Sequence, residues 1–264
     1  MLETNPFSIL AETVSPFAMQ SFIIAMIVLI ALGTIIQMIH HKNLTYFLNN
    51  AKKAKLQATR EIGTGERVSI LAKTTVVDIG TTAELGFGKR RLSHVLGMYG
   101  TIIFWVSSAM LVFCYTGADK SSSTIWSMLW HVGAILTCIG GYWFWLFLRV
   151  DVSAEAHPWY RIIKADLFVL ALLACSTFGL AWSYTQFNGQ VGLSFLFLTL
   201  FVASNLVLFG GVYWSKFAHM FYKPGAAIQK NLAEADGSRD NLPPLADAPK
   251  QFGLGIKREE PKHY

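Results

Sequence analysis

Five apolar runs of roughly twenty residues each constrain this chain more than any other feature. They cover about Pro16–Ile39, His94–Thr116, Thr124–Leu148, Ala165–Tyr184 and Val191–Trp214. Twenty helical residues rise about 30 Å, the thickness of a bilayer's hydrocarbon core. In lipid only a helix or a closed barrel satisfies its own backbone groups. The expected fold is therefore all-α, an integral membrane bundle of five transmembrane helices. Composition agrees, since 14% of the 264 residues are charged against about a quarter in soluble domains. The segment before the first run holds Glu3 and Glu12 and no Lys or Arg. A secretory signal needs a basic start and a small-residue cleavage site, so the first run reads as a retained helix.

The basic residues set the expected orientation. Ten Lys/Arg fall in 40–93, three in 149–164 and eight in 215–264, leaving Lys120 alone on the opposite side. The positive-inside rule then puts the N-terminus outside and the C-terminus in the cytoplasm of a cell's inner membrane. Trp126, Trp159, Trp182 and Trp214 fall near run ends, as in an aromatic belt. This divides the chain into a membrane domain over 1–224, with a cytoplasmic loop at 40–93, and a cytoplasmic tail over 225–264. The fifth helix is expected to run on to about residue 221. The loop offers helical stretches at Asn49–Arg60 and Val68–Leu85, and the proline-containing tail is expected to be flexible or to fold on a partner.

Several function classes recede. The net charge of +6 sits at span ends, where topology and membrane lipid headgroups account for it better than nucleic acid. Cys114, Cys138 and Cys175 have no metal-ligand spacing. There is no phosphate loop, no nucleophile elbow and no zinc-protease motif. No internal repeat suggests an inverted-repeat transporter.

Histidines carry the remaining chemistry. His94 follows Arg91 by three residues at the start of the second run, and His219 follows Lys216 by three at the end of the fifth. Two helices offering imidazoles at one depth meet the requirement for bis-histidine haem b ligation. Arg90, Arg91 and Lys216 are placed to neutralise propionates. The same pattern also fits two interfacial histidines bonded to backbone or headgroups. His131, inside the third run, reads as a core or quinone-contacting residue. His40 and His41 read as interfacial, and His157 as a loop residue. Asp166 is expected to pair with Arg161 or Arg91, and Asn205 to bond across to a neighbouring helix.

The stretch Tyr213-Trp-Ser-Lys-Phe-Ala-His-Met-Phe-Tyr-Lys-Pro224 resembles the end of the last helix in the nitrate reductase gamma family. That family includes the membrane cytochromes b of heterodisulfide reductase, of the sulfite-reductase-associated Dsr complex and of the quinone-interacting (Qmo) oxidoreductase. Arg90-Arg91-Leu-Ser-His94 resembles the start of the family's second helix. The resemblance covers about residues 17–224. It implies haem ligation by His94 and His219 and electron exchange with quinone as an exchangeable substrate. Two-haem members carry a second His about ten residues after the first on the second helix, a rise of about 15 Å, and another about eighteen residues before the last on the fifth. Here those positions are Phe104 and Phe201. The expectation is one haem b at most, on the cytoplasmic side.

With no CxxC in the chain, the iron–sulfur chemistry that some family members carry must come from a separate soluble partner. The short one-domain form is most similar to the membrane anchor of adenylylsulfate (APS) reductase. That likeness implies a cytoplasmic flavin/iron–sulfur oxidoreductase which turns sulfite and AMP into adenylylsulfate. The alternative is a haem-free structural anchor that only docks the soluble enzyme.

Overall fold

The structure is a computed structural model that describes residues 1–40, 42–85, 88–116, 124–150, 156–215, 217 and 219–238. The described residues are helical, with no strand among them. Five helices are long and apolar enough to cross a membrane, with candidate spans Pro16–His40, Lys89–Cys114, Thr124–Leu148, Lys164–Phe187 and Val191–Tyr213. The chain is thus a multi-pass membrane protein, as the five runs predict. Its residues group into two compact units, one of 1–37 with 92–218 and one of 38–91 with 219 onward.

In the first unit the spans are α2 (Pro16–His40), α5 (Lys89–Cys114), α6 (Thr124–Trp143, continued by a π-helical turn to Leu148), α7 (Leu167–Phe187) and α8 (Val191–Gly210). Between apolar helices in lipid, close packing and interhelical hydrogen bonds replace the hydrophobic effect. The α5–α6 contact shows why small residues stand there. A Cβ on Gly140 would sit 2.5 Å from the Gly97 nitrogen, and one on Gly133 would sit 2.6 Å from the Phe104 nitrogen. The approach lets Ser93 Oγ donate to the Gly140 carbonyl at 2.8 Å and Trp130 Nε1 donate to Ser108 Oγ at 2.9 Å. Between α6 and α7 the Tyr142 and Thr177 hydroxyls meet at 2.8 Å. The turn from α7 to α8 uses Gly189 at φ +68°, a conformation glycine adopts without strain. Asn205 corrects an expectation: its amide donates back to the Phe201 carbonyl of its own helix at 2.8 Å.

A short helix precedes the first span. α1 (Pro6–Leu10) is capped by Asn5, whose Oδ1 accepts from the Phe7 nitrogen at 3.0 Å and whose Nδ2 donates to the Tyr115 carbonyl at 3.1 Å. This places Phe7 edge-on to both Trp130 and Trp182, with ring centroids 5.8 and 5.4 Å away.

The second unit holds α3 (Asn43–Leu56), α4 (Thr64–Lys73) with a π-helical continuation over Thr74–Gly80, a short turn at Ala83–Leu85, and α9 (His219–Asp236). α9 packs on α3, α4 and the π turn. Asn231 Nδ2 donates to Thr74 Oγ1 and Asp78 Oδ2, both at 2.7 Å. Arg60 Nε donates to the Ala235 carbonyl at 2.6 Å, and the same guanidinium grips both oxygens of Glu66. Gly237, at φ +79°, ends α9 against Thr59, whose Oγ1 would collide with any Cβ there. The start of the expected tail is therefore ordered, and the expected boundary at 224/225 falls inside α9. The rest of that tail, 239–264, lies outside the described residues.

The fifth span does not run on to 221. Its α-helix α8 ends at Gly210, a 3₁₀ turn covers Gly211–Tyr213, and the next helix opens at His219. Adjacent glycines at 210 and 211 make this the weakest point of the helix. Ser215 Oγ then accepts from the Phe217 nitrogen at 3.3 Å, a local bond in place of a helical one.

Candidate functional site

The predicted ligand pair is divided between the two units. His94 lies in α5 of the first unit, one residue past the buried Ser93 that bonds to α6, and its side chain is exposed. His219 is the first residue of α9 in the second unit. Arg90 is exposed at the start of α5. Arg91 donates to the Thr81 carbonyl and to Thr81 Oγ1, both at 2.8 Å, so its guanidinium is engaged within the second unit. Lys216 and His41 lie outside the described residues, as does His263. Among the described residues no group of three or more His, Cys, Asp or Glu comes together as a metal site.

The segment Tyr213–Pro224 is anchored by one of its aromatic residues. Phe217 is fully buried, stacked on Trp105 at 5.8 Å and edge-on to Phe168 at 5.2 Å and Phe209 at 6.0 Å. Nothing local in the sequence marks this phenylalanine as a core residue. The anchor holds the chain two residues before α9 opens. Trp105 also carries a buried Nε1–H with no acceptor among the described residues.

Phe104 and Phe201 are buried and meet edge to face at 6.4 Å. Trp182 stacks on Phe201 at 5.8 Å, Trp130 lies 5.1 Å from Phe104, and Phe7 closes over both tryptophans. A Cβ added to Gly179 would already touch both phenylalanines, at 3.3 and 3.5 Å.

His131 sits beside this cluster and is fully buried. Its Nδ1 lies 2.7 Å from the Ser127 carbonyl, and a carbonyl only accepts, so Nδ1 carries the proton. In the neutral ring Nε2 then accepts from the Ser183 hydroxyl at 2.8 Å. One ring nitrogen is thus committed to its own helix and the other to α7, as in a core histidine.

Asp166 pairs with neither of its expected partners. Its Oδ2 takes Arg149 Nη2 at 2.5 Å and the Ile163 backbone N–H at 3.0 Å. Arg149 is 1% exposed, lies 4.1 Å over the Trp145 ring, and also donates to the Pro158 and Arg161 carbonyls. Such burial requires that every donor be met. Arg149 was read as a topology marker, and only the fold reveals its partners. The chain matches no protein-family model, no curated protein and no solved structure.

Proposed function

We propose that the chain is the membrane anchor and electron-transfer subunit of an oxidoreductase complex. In this reading its N-terminus is outside and its C-terminus cytoplasmic. It holds one haem b through His94 and His219, docks a soluble flavin/iron–sulfur enzyme of the adenylylsulfate reductase type, and exchanges electrons with quinone. The observation that carries the proposal is the helix-end placement of the two histidines. His94 lies near the start of the second of five spans, and His219 follows the fifth, so counting spans assigns them to one side of the membrane.

The haem, when bound, supplies a one-electron step between the partner's redox centres and quinone. His94 and His219 would hold the iron as neutral imidazoles. Arg90 and Lys216 precede these positions by four and three residues and suit propionates. The packed aromatic cluster at Phe104 and Phe201 favours one haem over two. Trp105, with its buried donor, is the residue we assign to a quinone carbonyl.

The test is sulfite- and AMP-dependent quinone reduction in membranes that contain the chain and its soluble partner. His94→Ala or His219→Ala is expected to abolish it while the partner stays membrane-bound. If both variants support the full rate, the chain is a docking anchor without haem.

A further inference from the structure

The connection between α6 and α7 is much longer than two adjacent antiparallel helices need, since a few residues suffice. Its described part, residues 156–166, is held at several points by one side chain. Arg149 donates to the Pro158 and Arg161 carbonyls and to Asp166, and its own carbonyl accepts from the His157 nitrogen at 2.9 Å. Ala156 is bent to φ +54° where this arrangement begins. The buried arginine acts as a clamp that fixes the backbone of the connection.

The clamped segment presents large apolar side chains outward. Trp159 is 60% exposed, Tyr160 69%, Ile162 59% and Ile163 43%. The Trp159 and Tyr160 rings meet edge to face at 5.7 Å. Arg161 and Lys164, both exposed, are interleaved with them. Four exposed large apolar residues within five positions form a patch of the kind that marks an interaction site.

Chain connectivity says what covers it. Arg149 follows directly on the candidate span Thr124–Leu148, and Lys164 opens the candidate span Lys164–Phe187. The segment therefore lies in the connection between the ends of two candidate spans. At that depth the surroundings are headgroups and the outermost acyl carbons, where Trp and Tyr rings partition and Lys and Arg reach phosphates.

From this we infer that residues 156–166 form an interfacial foot. Trp159, Tyr160, Ile162 and Ile163 enter the phospholipid boundary, Arg161 and Lys164 meet lipid phosphates, and Arg149 is the positioning residue that holds the foot in shape. The inference rests on the multi-pass fold alone and is independent of the haem reading.

The test places a polarity-sensitive nitrobenzoxadiazole label at Trp159→Cys in the full chain carrying Cys114→Ser, Cys138→Ala and Cys175→Ala, reconstituted in phosphatidylcholine/phosphatidylglycerol vesicles without any soluble protein. The same label at Tyr160→Cys is a second position, and at the exposed Glu61→Cys a reference. The expected result at 159 and 160 is blue-shifted emission, quenching by lipids spin-labelled at shallow acyl carbons, and loss of the iodide quenching seen at 61. The pair Arg149→Met/Asp166→Asn, which removes the clamp without stranding a charge, is expected to restore part of the iodide quenching while the spans stay inserted. Emission at 159 and 160 that is water-like and as iodide-accessible as at 61 would overturn the inference and mark the segment as a surface for a soluble partner.

Discussion

Replacing Gly140 by alanine tests whether α5 and α6 are joined by backbone approach. The new Cβ would lie 2.5 Å from the Gly97 nitrogen and 2.6 Å from the Ser93 carbonyl oxygen, where ordinary contact begins near 3.4 Å. Both obstacles are backbone atoms and cannot rotate away, so the helices must part by about 0.9 Å at this level. That shift takes the Ser93–Gly140 hydrogen bond from 2.8 Å past hydrogen-bonding distance. The lost bond costs about 1 kcal/mol and the overpacking about 1–3 kcal/mol. Alanine's helix preference returns at most about 1 kcal/mol. The net loss is about 1–3 kcal/mol, roughly 5- to 150-fold in the folded fraction. Gly97→Ala is the control, since its Cβ would meet nothing within 4 Å. The assay is SDS titration of the purified protein in mixed micelles, followed by reaction of the buried Cys175 with a thiol reagent. Equal stability of Gly140→Ala and wild type, or an equal loss in Gly97→Ala, would refute the reasoning.

His131→Ala removes the ring's hydrogen bonds to the Ser127 carbonyl and the Ser183 hydroxyl and opens a cavity, so the same titration should lose about 3 kcal/mol. Ser183→Ala removes one bond and should lose about 1 kcal/mol. Neither substitution is expected to change a haem spectrum. In the second unit the Arg60 guanidinium holds the Glu66 carboxyl below its ordinary value, chiefly through their hydrogen bonds, and Arg60 is raised in turn. A lowered carboxyl contributes stability above its unfolded value, near pH 4.3, and loses it as pH falls through the folded value. Arg60 stays charged throughout that window, so the acid sensitivity belongs to Glu66. Amide protection factors in α4 and α9, referred to the intrinsic exchange rate at each pH, should fall below about pH 4.3 in wild type and show a weaker acid dependence in Glu66→Gln. For orientation, a reporter fused after Tyr264 should be active in the cytoplasm and one inserted at Lys120 outside. The reverse pattern would discard the charge-based topology.

The spans were legible because each is a continuous apolar run whose length is set by the bilayer. Short-range features blurred their ends. Gly210–Gly211 stops the fifth helix in a segment whose hydropathy alone would let it continue. α1 has five residues and owes its place to Phe7 lying between two tryptophans more than a hundred residues away, which no local pattern encodes. The second unit was hidden for the same reason: Asn231 meets Thr74 across 157 positions of chain. At the candidate site, residue type and helix position were readable for His94, whereas the packing of Phe104 against Phe201 joins helices far apart in the chain and was not. The partners of Arg149 were not readable, because charge pairing depends on which loop folds back over a helix end.

The reduced-minus-oxidised visible spectrum of the purified chain tests the central claim most directly. The account predicts a low-spin b-type signal at about one haem per chain, lost in His94→Ala and in His219→Ala and retained in His131→Ala. A colourless protein, a stoichiometry of two, or a signal that survives both ligand substitutions would contradict it.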